Sequence, residues 1–236
     1  SFDELFSLIL AARMNRNSQQ KLSSFTMQFD AQQFRKVISS LPFKLTDAQH
    51  RATWEIIQDF THIEDGKTAP MNRLLQGDVG SGKTIVAGLA SLVVAKNNFQ
   101  VALVAPTEIL ATQHAQTLAN LLEPLGISVA LLTGSVKKKE RETLLAQLAN
   151  GEIDLLVGTH ALFQPTVKFA NLGFAIIDEQ HRFGVQQRQV LLSKTNKDFL
   201  PHLLTMTATP IPRSLQLTAF GDLAISILDQ MPSGRK

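Results

Sequence analysis

Short runs of consecutive apolar residues recur along this chain, and longer stretches with helical spacing separate them. Val101-Ala102-Leu103-Val104-Ala105, Ser128 to Leu132, Ile153-Asp154-Leu155-Leu156-Val157, Phe174-Ala175-Ile176-Ile177 and His202 to Met206 are such runs. An earlier one closes on Arg73-Leu74-Leu75-Gln76. Strands this uniformly apolar are covered on both faces, and their alternation with helices calls for parallel pairing. The pattern predicts an α/β fold, a mostly parallel sheet with helices on both faces. Between the strands, Ile85 to Ala95 reads as a buried helix. Pro106 and Thr107 open a helix that runs to Leu122 and stops at Pro124 and Gly126, and Lys137 to Ala149 is a charged helix closed by Gly151.

Ahead of the first strand the spacing becomes amphipathic. Phe2, Leu5, Phe6, Ile9 and Ala12 share one face of a predicted helix over Ser1 to Arg13, and Asn15 to Ser24 reads as a polar linker. Asp30 is a candidate N-cap for a helix with Phe34, Val37, Ile38 and Leu41 as its apolar face, ended by Pro42. Thr46 and Gln49 have capping-box spacing for a third helix, reaching to about Glu64, with Gly66 in the turn beyond. No internal repeat is evident.

Composition narrows the class. The chain has 236 residues, 44% of them hydrophobic, enough for one large domain. No cysteine is present, so disulfides and thiolate chemistry are excluded. The run from Ile85 to Ala95 falls short of the roughly 20 residues that span a bilayer. No secretory leader pattern opens the chain. A cytoplasmic protein is therefore expected. The net charge of +3 permits a nucleic-acid partner without requiring one.

The chemistry concentrates at strand ends. Gly77-Asp78-Val79-Gly80-Ser81-Gly82-Lys83-Thr84 fits G-x-x-x-x-G-K-[ST] between a strand and a helix. Such a loop turns several backbone N–H groups toward one point, where the helix N-terminus adds its dipole. Gly77, Gly80, Ser81 and Gly82 would cradle the phosphates of a nucleotide; Lys83 would reach them as a point charge and Thr84 would hold Mg2+. Phe174 to Ile177 runs straight into Asp178-Glu179-Gln180-His181. Carboxylates at the C-terminal end of a parallel strand sit where ligands bind. Asp178 would hold the metal and Glu179 would deprotonate the attacking water. Acidic pairs also simply end strands, and the phosphate loop is what favours the catalytic reading.

Gln49 has two readings: the capping box itself, favoured by spacing, or an amide that reads an adenine edge with Phe43 stacked nearby. Thr207-Ala208-Thr209-Pro210 follows a strand as a turn, or as hydroxyls for the metal carboxylates and the γ-phosphate. Pro106-Thr107, Gly134-Ser135 and Thr159-His160 stand at three more strand ends. Their small or hydroxyl side chains and free N–H groups suit nucleic-acid backbone phosphates, with Lys137, Lys138, Lys139 and Arg141 close by. Singly, each is an ordinary turn. His160 and His181 lack the spaced partners of a metal site, and His50, His62 and His114 read as surface or helix residues without a role.

Taken together, Thr46-x-x-Gln49, the glycine loop, Ala105-Pro106-Thr107-Glu108, Thr133-Gly134-Ser135, Asp178-Glu179-Gln180-His181 and Thr207-Ala208-Thr209-Pro210 stand in the order of the superfamily-two helicase motifs. Gly158-Thr159-His160-Ala161-Leu162 and Asp178-Glu179-Gln180-His181-Arg182-Phe183-Gly184-Val185 resemble more narrowly the bacterial RecG family. Transcription-repair coupling translocases are similar but usually carry Phe where Ser81 stands. The resemblance implies the first of two RecA-like P-loop motor domains of an ATP-dependent helicase that acts on forked or branched double-stranded DNA in repair and recombination. It divides the chain into an N-terminal helical segment and linker (1–40), the motor domain (41–228) and the start of a linker to a second motor domain (229–236). It carries adenine recognition to Gln49 and coupling of nucleotide state to DNA to Gln180, His181, Thr207 and Thr209. It places DNA backbone contacts at the turns bearing Pro106, Gly134 and Thr159.

The family's fork-splitting wedge and second motor domain are expected outside these 236 residues, and Arg213 and Arg235 do not replace the second domain's arginines. The resemblance also admits a single-strand-binding protein as a partner. The fragment alone is expected to hydrolyse ATP poorly. The motor domain of a transcription-repair coupling type translocase, a self-contained P-loop phosphotransferase and a non-catalytic interaction domain are the alternatives.

Overall fold

The computed structural model describes residues 23–64, 66–179, 182–195, 199–209 and 223–232. The expected N-terminal helix, Gln180, His181, Pro210, Arg213 and Arg235 lie outside them. Among the described residues, seven strands form one sheet: β1 Asn72–Gly77, β2 Gln100–Val104, β3 Val129–Leu132, β4 Leu155–Gly158, β5 Leu172–Asp178, β6 His202–Thr207 and β7 Ala224–Leu228. Their spatial order is β3-β4-β2-β5-β6-β1-β7, and every pairing is parallel. The helices are α1 Ala31–Ser40, α2 Asp47–Thr61, α3 Lys83–Lys96, α4 Glu108–Leu122, α5 Lys138–Ala149 and α6 Val185–Leu192.

Every residue of β2, β4, β5 and β6 is buried, as their apolar runs require. Alternation along each strand divides the core in two. Val101 and Leu103 of β2 join Phe174 and Ile176 of β5 under α2, α3 and α4. Ala102, Val104, Ala175 and Ile177 point the other way, toward Leu148 of α5 and Leu191 of α6. Helix α3 is buried from Val86 to Ala95, which explains why its sequence is apolar all round.

Capping follows the sequence. Asp30 Oδ1 accepts from the N–H groups of Gln32 and Gln33, and Thr46 with Gln49 completes a capping box. Helix α2 stops at Thr61, before Glu64. Ser23 and Ser24, read as the end of a linker, instead bridge to Phe199 and Thr68. Met27 beyond them enters the core.

Two elements had no sequence signal, α6 and the edge strand β7. Of the two buried side chains on β7, Leu228 joins the core and Ser226 is polar. Ser226 donates to Glu55 and accepts from Arg73 Nη1 at 2.9 Å, while Arg73 also pairs with Asp59 at 2.8 Å and Glu55 at 3.3 Å. That cluster ties α2 to β1 and β7. Among the described residues, no helix is long and apolar enough to cross a membrane.

Strand order sorts the C-terminal ends into two groups. The ends of β5, β6 and β1 adjoin, so Asp178, Thr207 and the glycine loop meet; the register pairs Asp178 with Met206 and Thr207 with Gln76. The ends of β3, β4 and β2 form a second row, carrying Gly134, Thr159 and Thr107.

Candidate active site

The loop between β1 and α3 curls through two left-handed glycines, Gly80 at φ 90° and Gly82 at φ 89°. Ser81 N–H donates to Asp78 O at 3.1 Å, and the Gly82 carbonyl accepts the opening bonds of α3 from Ile85 and Val86. Ser81 Oγ is buried with no hydrogen-bond partner. Lys83 Nζ donates back to the loop carbonyls of Gly77 at 2.6 Å and Asp78 at 3.0 Å. Burial lowers the Lys83 pKa below the ordinary lysine value, against the opposing pull of Asp178, Glu179 and Asp78.

Gln49 serves the cap and the loop together. Its Oε1 accepts from Thr46 N–H at 2.9 Å, and its Nε2 donates to Ser81 O at 2.8 Å. The amide is buried, with one hydrogen and one lone pair not used by these two bonds. A Cβ on Gly82 would fall 2.2 Å from Gln49 Nε2. Gly82→Ala is therefore expected to strain the backbone by ~1–2 kcal/mol and to dislodge the Gln49 bond, weakening binding of a fluorescent ATP analogue about tenfold. Titration of wild type and variant checks it.

A cleft of about 760 Å³ opens over this loop. Phe43, Gln49, Gly80, Gly82, Lys83, Thr84, Asp178 and Glu179, all expected from sequence, line it. Asp178 is 6% exposed. Glu179 sits just past β5 at φ 51°, with its N–H donated to Met206 O at 3.0 Å. A non-glycine residue held there is a local strain of the kind that gathers at functional sites. Thr207 closes its own turn, its Oγ1 accepting from Thr209 N–H at 3.2 Å and lying 2.9 Å from Thr209 Oγ1.

His114 corrects the sequence reading, which gave it no role. It points from α4 into the cleft, its Nε2 2.7 Å from Asp178 Oδ2 and its Nδ1 3.2 Å from Thr84 Oγ1. Leu110, Gln113 and Thr117 line the cleft beside it. Their i, i+3, i+4, i+7 spacing is the signal that could have found the stripe.

The second row of strand ends is differently built. Thr107 N-caps α4 through Leu110 N–H at 3.3 Å. Gly134 N–H, expected free, is donated to Glu108 Oε1 at 2.8 Å, a bond that links the turn after β3 to the start of α4 although β4 lies between β3 and β2. Thr133 and Ser135 hydroxyls are 2.8 Å apart. His160 Nδ1 lies 3.3 Å from Gln187 Nε2, and its ring packs on Phe163 and Phe183.

The family model described as DEAD/DEAH box helicase matches residues 46–218, most of the chain. The chain belongs to that family. This helicase domain is 52% identical over 235 residues to "ATP-dependent DNA helicase RecG" of Aquifex aeolicus, covering 100% of the chain and 29% of the relative. The protein of the same name from Bacillus subtilis is 50% identical over 232 residues, covering 98% and 33%. A solved structure described as "RecG bound to three-way DNA junction" superposes with a TM-score of 0.85 at 44% identity, covering 100% of the chain and 31% of that structure. The helicase domain thus spans about a third of the length of the curated relatives it matches.

Proposed function

We propose that the cleft is the ATP site of the first motor domain of a RecG-type helicase, which remodels stalled forks and migrates branched junctions in repair and recombination. The observation that carries this reading is the meeting of Lys83, Thr84, Asp178 and Glu179 in one cleft over a left-handed glycine loop. In it, the glycine-loop N–H groups and Lys83 bind the phosphates, Lys83 exchanging the Gly77 and Asp78 carbonyls for phosphate oxygens. Gln49 and Phe43 take the adenine. One hydroxyl and one carboxylate are hard oxygen donors, few in number, which suits Mg2+ that keeps waters and phosphate oxygens as its other ligands. Thr84 and Asp178 would hold it, and when bound it neutralises charge on the phosphates. Glu179 orients a water and accepts its proton.

Pro106, Thr107, Gly134, Ser135, Thr159 and His160 form the DNA-facing row, and Thr207 and Thr209 couple it to the nucleotide, together with Gln180 and His181. The division at 40/41 and 228/229, the wedge and second motor domain, the single-strand-binding partner and the cytoplasmic location belong to the same reading. Arginines supplied by a second domain are worth ~10³–10⁵ in rate in related chemistry, so the helicase domain alone should turn ATP over slowly.

Binding of a fluorescent ATP analogue with Mg2+ tests the site. Lys83→Ala is expected to weaken it about 10- to 150-fold, the loss of a charge-assisted contact. The unaltered chain should bind but hydrolyse little, with or without forked DNA. Robust turnover without DNA would replace this reading with a self-contained phosphotransferase.

A further inference from the structure

His114 belongs to α4, yet its ring spans two residues from other parts of the chain: Thr84, which opens α3, and Asp178, which closes β5. Both side chains in the His114–Asp178 contact are nearly buried, 12% and 9% exposed. An ionised carboxylate only accepts, so Nε2 carries the hydrogen and donates it to Asp178 Oδ2. In the neutral ring Nδ1 is then an acceptor, and the Thr84 hydroxyl donates to it. In that tautomer the neutral ring would turn the Thr84 proton away from the cleft and leave its lone pairs, and Asp178 Oδ1, for a cation.

We infer that His114 is a positioning residue that presets Thr84 and Asp178 as a matched pair of magnesium ligands. The inference rests on the ATP-site reading above, and it adds a link that reading lacks. Helix α4 starts at the Thr107 turn, in the row of proposed DNA contacts, and His114 lies about 10 Å further along it. A displacement of α4 at its DNA-facing end thus reaches the metal pair through a single side chain.

The test uses the full-length protein and the variants His114→Leu, which fills the space without polar atoms, and His114→Gln, whose amide can donate to Asp178 and accept from Thr84. The affinity of a fluorescent ATP analogue is measured across a Mg2+ titration, in EDTA, and again with forked DNA. His114→Leu is expected to raise the Mg2+ concentration at half-effect about 10- to 100-fold, as for other residues that orient metal ligands, with affinity in EDTA unchanged. His114→Gln should recover most of that shift. Forked DNA should move the half-effect concentration in the wild type and not in His114→Leu.

A His114→Leu curve that coincides with wild type overturns the inference. So does a loss of affinity equal in Mg2+ and EDTA, which is a packing defect. A DNA-induced shift of equal size in both proteins removes the link along α4. A wild type whose nucleotide affinity ignores Mg2+ defeats the ATP-site reading itself.

Discussion

Full-length protein carrying Glu179→Gln is expected to hydrolyse ATP about 10²- to 10⁴-fold more slowly than wild type, with unchanged affinity for a fluorescent ATP analogue. Glu179 follows β5 directly and is held at φ 51° by its N–H bond to Met206 O and by the bond its own carbonyl accepts from Arg182 N–H at 2.9 Å. A left-handed non-glycine residue costs about 1–2 kcal/mol, so the turn is maintained by the neighbouring strand and not by local preference. Glutamine has the same shape and meets the same backbone cost. What it lacks is a carboxylate able to take a proton from water. A merely structural polar contact is worth about 1 kcal/mol, less than tenfold in rate, whereas a general base is worth far more. Steady-state ATPase at saturating forked DNA, paired with analogue binding, separates the two. A loss below tenfold would remove Glu179 from the chemistry.

The parts of this molecule legible in its sequence are those fixed by local rules. Strands β2 and β5 are buried on both faces, so their apolar runs stand out. The glycine loop is legible because its spacing is covalent, and Thr46 with Gln49 because a capping box is closed within one turn. What stayed hidden depends on distant partners. Strand β7 blurs the usual pattern: Leu228 is buried, but so is the polar Ser226, while Ile227 is exposed, because Arg73 and Glu55 from elsewhere supply the polar contacts. Helix α6 begins after Gly184, which has no side chain to cap it. His114 meets Thr84 and Asp178 only once α4 packs beside α3, and Glu108 reaches Gly134 only once β2 and β3 are gathered on either side of β4.

His202 supplies the other large expected effect, on stability and not on turnover. Its ring is fully buried at the start of β6, against Phe60 at 4.8 Å between centroids. Nδ1 accepts from Met71 N–H at 3.1 Å, so Nε2 carries the proton and donates it to Phe25 O at 2.8 Å. That pair of bonds joins the incoming segment before α1 to the sheet, and it requires the neutral ring. Burial pushes the pKa from 6.5 down to about 4, with the Phe25 bond and Asp59 opposing only in part. Between those two values the unfolded chain binds a proton that the folded chain excludes, so stability rises with pH through that window. The contribution is complete above pH 6.5 and lost as pH falls through about 4. It amounts to about 3 kcal/mol in full, and about 2 kcal/mol of it is lost between pH 7 and pH 5. Urea unfolding of the chain at those two pH values measures the difference. His202→Leu should be less stable at pH 7, by ~1–3 kcal/mol for each of the two backbone groups left unpaired, and should lose this part of the pH dependence. An unchanged slope in the variant would assign the acid sensitivity to other groups and leave His202 as packing alone.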